Sequence, residues 1–184
     1  MNWPIVRKAA RRFIAGETID DAIAMIRDLN AQGITATLDH LGENVETRDD
    51  AIRRRRLYWV LDAIGATGVK SHVSVKLPRW ARSGRFCREN VARILAKAKE
   101  VGTRVRIDME STEYTDRTLA IYRRLRQDFD NVGIVIQAYL YRSEADIAAL
   151  CEEGAHVRLC KGAYKEPPAK AFPRRPMSML ITCV

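Results

Sequence analysis

VGIVIQAYLYRSEADIAALCEEGAHVRLC, residues 132–160, decides the fold. Its first part, Val132 to Leu140, is nearly continuous apolar sequence, as a strand covered on both faces requires. Ser143 then opens a helical stretch to Glu153, with Asp146 at the capping-box position three residues on. Gly154 ends that helix, and Ala155 to Cys160 reads as a second strand. Two strands joined by a helix imply parallel pairing, because the crossover returns the chain to the same edge.

The same alternation extends towards the N-terminus. Thr18 to Gln32 reads as a helix capped by Thr18 and Asp21 and ended by Gly33, with Ile19, Ala22, Ile23, Ile26 and Leu29 as its apolar stripe. A strand from Ile34 to Leu41 follows, leading into the polar Asp39, His40 and Glu43. Ala51 to Ile64 is helical, broken by Gly65 and Gly68. His72 to Leu77 is a strand stopped by Pro78. Glu89 to Val101 is helical, Arg104 to Met109 a strand, and Asp116 to Asp128 a helix. The pattern gives five strands, each preceded by a helix.

Two architectures fit: an open doubly wound sheet, or part of a (β/α)₈ barrel. No Gly-rich phosphate turn follows any strand. Instead Asp39, Lys76, Asp108, Gln137, Arg158 and Lys161 collect where successive strands end, which is where barrel enzymes place their chemistry. That convergence favours the barrel. A complete barrel takes about 250 residues, whereas this chain has 184 and its βα rhythm stops after Phe172. The expected fold is therefore α/β, an incomplete (β/α)₈ TIM barrel of about five units.

Composition bounds the function. Lys and Arg number 32 against 23 Asp and Glu, a formal charge of +9, with 47% hydrophobic and 30% charged residues. Such a chain is globular, and no apolar run approaches the ~18–20 residues of a membrane span. The N-terminus has no secretion-signal pattern, and Cys87, Cys151, Cys160 and Cys183 form no CxxC pair. A cytoplasmic, reducing compartment is the expectation, with no metal site. Many of the arginines sit in Arg7–Arg12 and Arg53–Arg56. In the second cluster Ile52, Leu57, Val60, Leu61 and Ile64 share the opposite helical face, so these arginines fall on the solvated side. Without aromatic-basic interleaving, nucleic acid is not an expected partner. An anionic membrane surface is the third reading of the charge.

The strand ends carry the chemistry. Lys76 is a cation on an otherwise apolar strand and calls for a carboxylate or a ligand, with Asp108 on the next strand as its natural partner. A plain internal ion pair explains those two residues equally well. Residues 157–164, Val-Arg-Leu-Cys-Lys-Gly-Ala-Tyr, put two cations and a Gly-Ala step beside an aromatic, so that backbone can approach an anionic or planar ligand. Gln137 offers donor and acceptor to a heterocycle edge. Cys160 reads as a packing residue, and His40 and His72 lack metal-ligand spacing.

Five runs in order, Thr37 to Glu43, Val73 to Leu77, Arg106 to Glu110, Val135 to Tyr139 and Val157 to Glu166, together resemble the proline dehydrogenase family. The resemblance covers about Phe13 to Phe172. It implies a distorted (β/α)₈ barrel that binds FAD, oxidises L-proline to 1-pyrroline-5-carboxylate and passes electrons to a quinone, with peripheral association at the inner face of the membrane. By the same resemblance Lys76 contacts the substrate carboxylate, Asp108 lies near the substrate amine, and Met109 touches the flavin. Gln137 bonds the isoalloxazine edge, and Arg158 lies beside flavin N5. Lys161, Gly162 and Ala163 approach the cofactor, Tyr164 walls the proline pocket, and Glu43 gates the site.

The chain also departs from that family. The Arg-Arg pair on its last helix, which clamps the proline carboxylate, has no counterpart, and Arg174-Arg175 comes too early to be it. The strands that hold the adenosine half of FAD are missing as well. The expected organisation is a partial barrel domain over residues 1–172 and a non-homologous tail over 173–184. A codon choice for Arg175 to Val184, read two bases later, encodes a run like the family's continuation, so a frameshift near Pro173 is expected, and with it an impaired enzyme. Two other readings remain: a barrel enzyme in which Lys76 or Lys161 forms a Schiff base, and a non-catalytic basic binding fragment.

Overall fold

A computed structural model describes residues 18–39, 50–77 and 85–173. The elements run α1 (Ile19–Ala31), β1 (Ala36–Leu38), α2 (Asp50–Thr67), β2 (Ser71–Lys76), α3 (Arg85–Glu100), β3 (Val105–Asp108), α4 (Thr115–Arg126), β4 (Val132–Gln137), α5 (Ser143–Glu152) and β5 (His156–Cys160). A 3₁₀ turn, Thr112–Tyr114, precedes α4. The five strands form one parallel sheet in the order β1-β2-β3-β4-β5. Strands adjacent in sequence are thus adjacent in space, and the sheet curls as one side of a barrel. A doubly wound sheet would reverse its order part-way.

The two faces of the sheet differ because strand side chains alternate. Val73, Val75, Val105, Ile107, Val132, Ile134 and Ile136 face the helices and are buried with Leu61, Leu95, Leu119, Tyr122, Leu125 and Leu150. The opposite face of β2, β3 and β5 carries His72, Ser74, Lys76, Arg106, Asp108, His156 and Arg158. Among the described residues only β4 is buried along its whole length. Its residues on the polar face are Gly133, Val135 and Gln137, which is why its sequence reads as continuous.

Local signals hold in most places. Thr18 caps α1 in a reciprocal box with Asp21, and Gly33 leaves the helix at φ 77°. Some bounds shift, with β1 reduced to Ala36–Leu38 and α3 starting at Arg85 rather than Glu89, and three further expectations change. α2 runs through Gly65 to Thr67 and ends at Gly68, at φ 66°. Gly65 is glycine because a Cβ there would lie 2.8 Å from Val101 Cγ1. α5 lacks the expected capping box: the Ser143 hydroxyl donates to the Gln137 carbonyl at 2.5 Å, while Asp146 accepts from Arg142. The fourth strand also stops at Gln137 rather than Leu140, since Leu140 pairs antiparallel with Ala171.

That last pairing folds the segment after β5 back onto the exit of β4. The Phe172 amide donates to the Tyr139 carbonyl at 2.9 Å, and Tyr141 packs edge-on against Phe172. The tail expected from Pro173 onward lies outside the described residues, Pro173 itself excepted. Among the described residues no helix is long and apolar enough to cross a membrane.

Gly133 makes one fold requirement testable. A Cβ there would sit 3.0 Å from the His156 carbonyl oxygen and 3.2 Å from Arg106 Cγ. Gly133→Ala is expected to destabilise the chain by about 1–3 kcal/mol through overpacking. An unchanged urea midpoint would show that Arg106 does not lie across β4.

Candidate active site

Parallel register aligns the strand ends into a row. Lys76 is opposite Asp108, and Val135 is opposite Arg158. The Arg158 guanidinium reaches past the short Val135 side chain, and its Nη2 donates to Asp108 Oδ1 at 2.8 Å. One ion pair therefore spans from β5 to β3. The expected pairing of Lys76 with Asp108 is replaced: Lys76 Nζ donates to Asp39 Oδ2 at 3.0 Å, with Arg158 on the Asp108 carboxylate. Two cation–carboxylate pairs thus stand side by side at the C-terminal ends of the strands.

Electrostatics in this row are set by burial. Asp108 holds its proton more tightly than an ordinary aspartate, because burial outweighs the opposing Arg158 charge and Ser74 hydroxyl. Burial also raises the pKa of the Cys160 thiol, which keeps it protonated and fits a packing role. Lower on the same face, burial together with Arg106, Arg104 and His156 presses His72 down to about 4.

Gln137 is buried at the end of β4, where its Nε2 donates to the Glu110 carbonyl at 2.5 Å. Met109 is buried in the apolar cluster on the helix side of the sheet. Lys161 and Ala163 are exposed, and Tyr164 sits at the rim. Gly162 has φ 100°, and the group close above it is the Tyr139 ring: a Cβ there would come within 2.1 Å of the ring atoms. The Tyr139 hydroxyl donates to the Tyr164 carbonyl at 3.1 Å, and burial raises its pKa to about 12. Glu43 lies outside the described residues. Sequence reasoning gave no role to Glu166, whose Oε1 accepts the Thr112 amide at 2.8 Å and ties the loop after β5 to the loop after β3. Its sequence signal was its place at the end of the run Val157 to Glu166, two residues beyond Tyr164.

The arrangement suits a flat, polar, partly anionic ligand. Arg158 Nε is buried and has no hydrogen-bond partner among the described residues. An orphaned donor of that kind asks for an acceptor. Gln137 lies one alternation further along the neighbouring strand, so both groups stand at the same end of the same face.

Comparison with known proteins agrees with this geometry. Residues 22–173 match the sequence pattern described as proline dehydrogenase. The chain belongs to the proline dehydrogenase family. It is 39% identical over 170 residues to proline dehydrogenase 1 of Bacillus subtilis, covering 91% of this chain and 56% of that protein. It is 38% identical over 178 residues to proline dehydrogenase of Deinococcus radiodurans, covering 89% and 56%. The chain thus spans about half the length of these curated relatives. Among solved structures, proline utilization A of Bdellovibrio bacteriovorus, inactivated by N-propargylglycine, superposes with a TM-score of 0.76 at 24% identity. That superposition covers 85% of this chain and 20% of the other, and supports the fold.

His72 gives this proline dehydrogenase family chain an acid-sensitive stability. Its folded pKa is depressed, so the unfolded state takes up a proton first, and stability falls as pH drops from 6.5 towards 4. Allowing for solvent screening of a half-buried group, the loss is on the order of 2 kcal/mol. His72→Gln is expected to flatten the stability curve between those pH values, measured by urea unfolding. An unchanged slope would remove His72 as the cause.

Proposed function

We propose that the chain carries the flavin- and proline-facing part of a proline dehydrogenase, oxidising L-proline to 1-pyrroline-5-carboxylate. The observation that supports this most is the Asp108–Arg158 pair at the strand ends, with a buried donor of Arg158 left over. Arg158 and Gln137 suit FAD and would face the isoalloxazine, with Lys161 and Ala163 lining its approach; Gly162, covered by the Tyr139 ring, would contribute only where that ring moves aside. When bound, the flavin supplies the two-electron acceptor that the protein's own side chains lack.

The side chains divide the remaining work. Lys76, steadied by Asp39, presents an ammonium to the proline carboxylate, and Tyr164 walls the pocket. Asp108 lies where the substrate amine would sit, and its raised pKa suits a group that shares a proton with that amine. Arg158 holds positive charge where negative charge would build up on the acceptor, a stabilisation that needs no rearrangement during reaction. Met109, packed into the core behind Asp108, sets the end of β3, and Glu43 is proposed as the gate. Electrons would pass on to a quinone, with the chain docked peripherally on the cytoplasmic side of a membrane. A Schiff-base role for Lys76 is less well supported, because its ion pair with Asp39 opposes the desolvated, neutral amine that imine chemistry needs.

The test is an absorbance spectrum of the purified chain after FAD is added and unbound flavin removed. A retained flavin band that bleaches with L-proline would support the proposed reaction and overturn the impairment expected from the sequence. Lys76→Ala is expected to keep the band and raise the L-proline concentration needed for half-bleaching at least about tenfold, the loss of one charged contact. A soluble chain that retains no flavin would show that this polypeptide does not perform the reaction by itself.

A further inference from the structure

Two side-chain links cross β4, the strand that separates β3 from β5 in the sheet. The first is the Asp108–Arg158 ion pair at the strand ends. The second is made by Glu166, beyond β5, whose carboxylate accepts the Thr112 amide at 2.8 Å where the β3 exit turns towards α4. The chemistry above uses the first link and gives the second no part.

Glu166 supplies an acceptor where the backbone needs one. Thr112 opens the 3₁₀ turn that leads into α4, and the first N–H groups of a helical start have no partner within the turn. Neither Ser111, which precedes the turn, nor Tyr114, which precedes α4, forms a side-chain cap. A carboxylate 54 residues further along the chain takes that place. Its negative charge strengthens the bond and suits the positive end of a helix.

The same bond fixes one end of residues 161–166, which have no regular secondary structure. The other end is held from β4: the Tyr139 ring lies close above Gly162, and the Tyr139 hydroxyl donates to the Tyr164 carbonyl at 3.1 Å. Tyr164 is thus held by the exit of β4, and two residues later the chain is held by the exit of β3.

We propose that Glu166 is a positioning residue: by capping the turn before α4 it sets where the β5 exit loop, and with it Tyr164, stands against the strand-end row. The part Tyr164 plays as a wall for proline rests on the proposed reaction, whereas the anchoring of the loop does not.

Exposed Lys161 and Lys165 make loop opening measurable by trypsin on the full chain, with the cuts mapped by mass spectrometry. Cleavage follows the population of the opened loop when opening and closing are fast. Glu166→Ala is expected to speed cleavage after both lysines at least about tenfold, the loss of one hydrogen bond to a charged group. Thr112→Pro removes the donor instead, and Ser111, at φ −59° and ψ 154°, already has the backbone that a following proline requires. It is expected to match Glu166→Ala, and the two together to do no more than either alone. Glu166→Gln keeps an acceptor oxygen and is expected to stay within about threefold of the unsubstituted chain. Unchanged cleavage in Glu166→Ala, or effects of the two substitutions that multiply, would overturn the proposal. With flavin retained, Glu166→Ala is expected to raise the L-proline concentration for half-bleaching about tenfold, and an unchanged concentration would overturn the positioning of Tyr164. The cleavage needs no flavin, so a chain that binds none would end the proposed reaction and leave the anchoring of the loop decided by trypsin.

Discussion

The rest of the site depends on one ion pair, Asp108–Arg158, made across an intervening strand. A buried carboxylate without a partner would be costly, so Asp108 fixes where the Arg158 guanidinium must go. Val135 allows it, because a larger residue between them would lift the arginine off the sheet. With Arg158 on Asp108, Lys76 is held by Asp39 instead, and β1 is drawn into the same row as β2, β3 and β5. The row is thus a consequence of parallel register joined to one long side chain.

This interaction explains why the sheet has two unlike faces without being half-solvated in the manner of an antiparallel sheet. The helix side is a continuous apolar core, while the other side concentrates arginines, histidines and two aspartates at close range. Such a face is stable only where each charge meets an opposite charge, an acceptor or water. The C-terminal end meets that requirement through its two ion pairs and has one guanidinium donor to spare. That spare donor is the feature that makes the end look like a place for a ligand.

Element order, helix ends at Gly33 and Gly154, and the site row itself were readable from the sequence, because periodicity and strand-end polarity are local properties. Partner choice was not. Register places Lys76 beside Asp108, but the reach of Arg158 decides who pairs with whom, and reach depends on what lies between. Gly65 looked like a stop and is a packing contact with Val101. Gly162 looked like room for a ligand, and the Tyr139 ring already lies close above it. The fold-back of Ala171 onto Leu140, and the Glu166 bond to Thr112, join residues far apart in sequence with no periodic signal to announce them.

The central claim is tested most directly by a double-mutant cycle on stability, using Asp108→Asn, Arg158→Gln and the pair together, followed by urea unfolding at neutral pH. The account predicts a coupling energy of roughly 1 kcal/mol or more between the two positions, as groups in direct contact show. Additive effects would contradict it, and would mean that Arg158 does not cross β4 to reach Asp108.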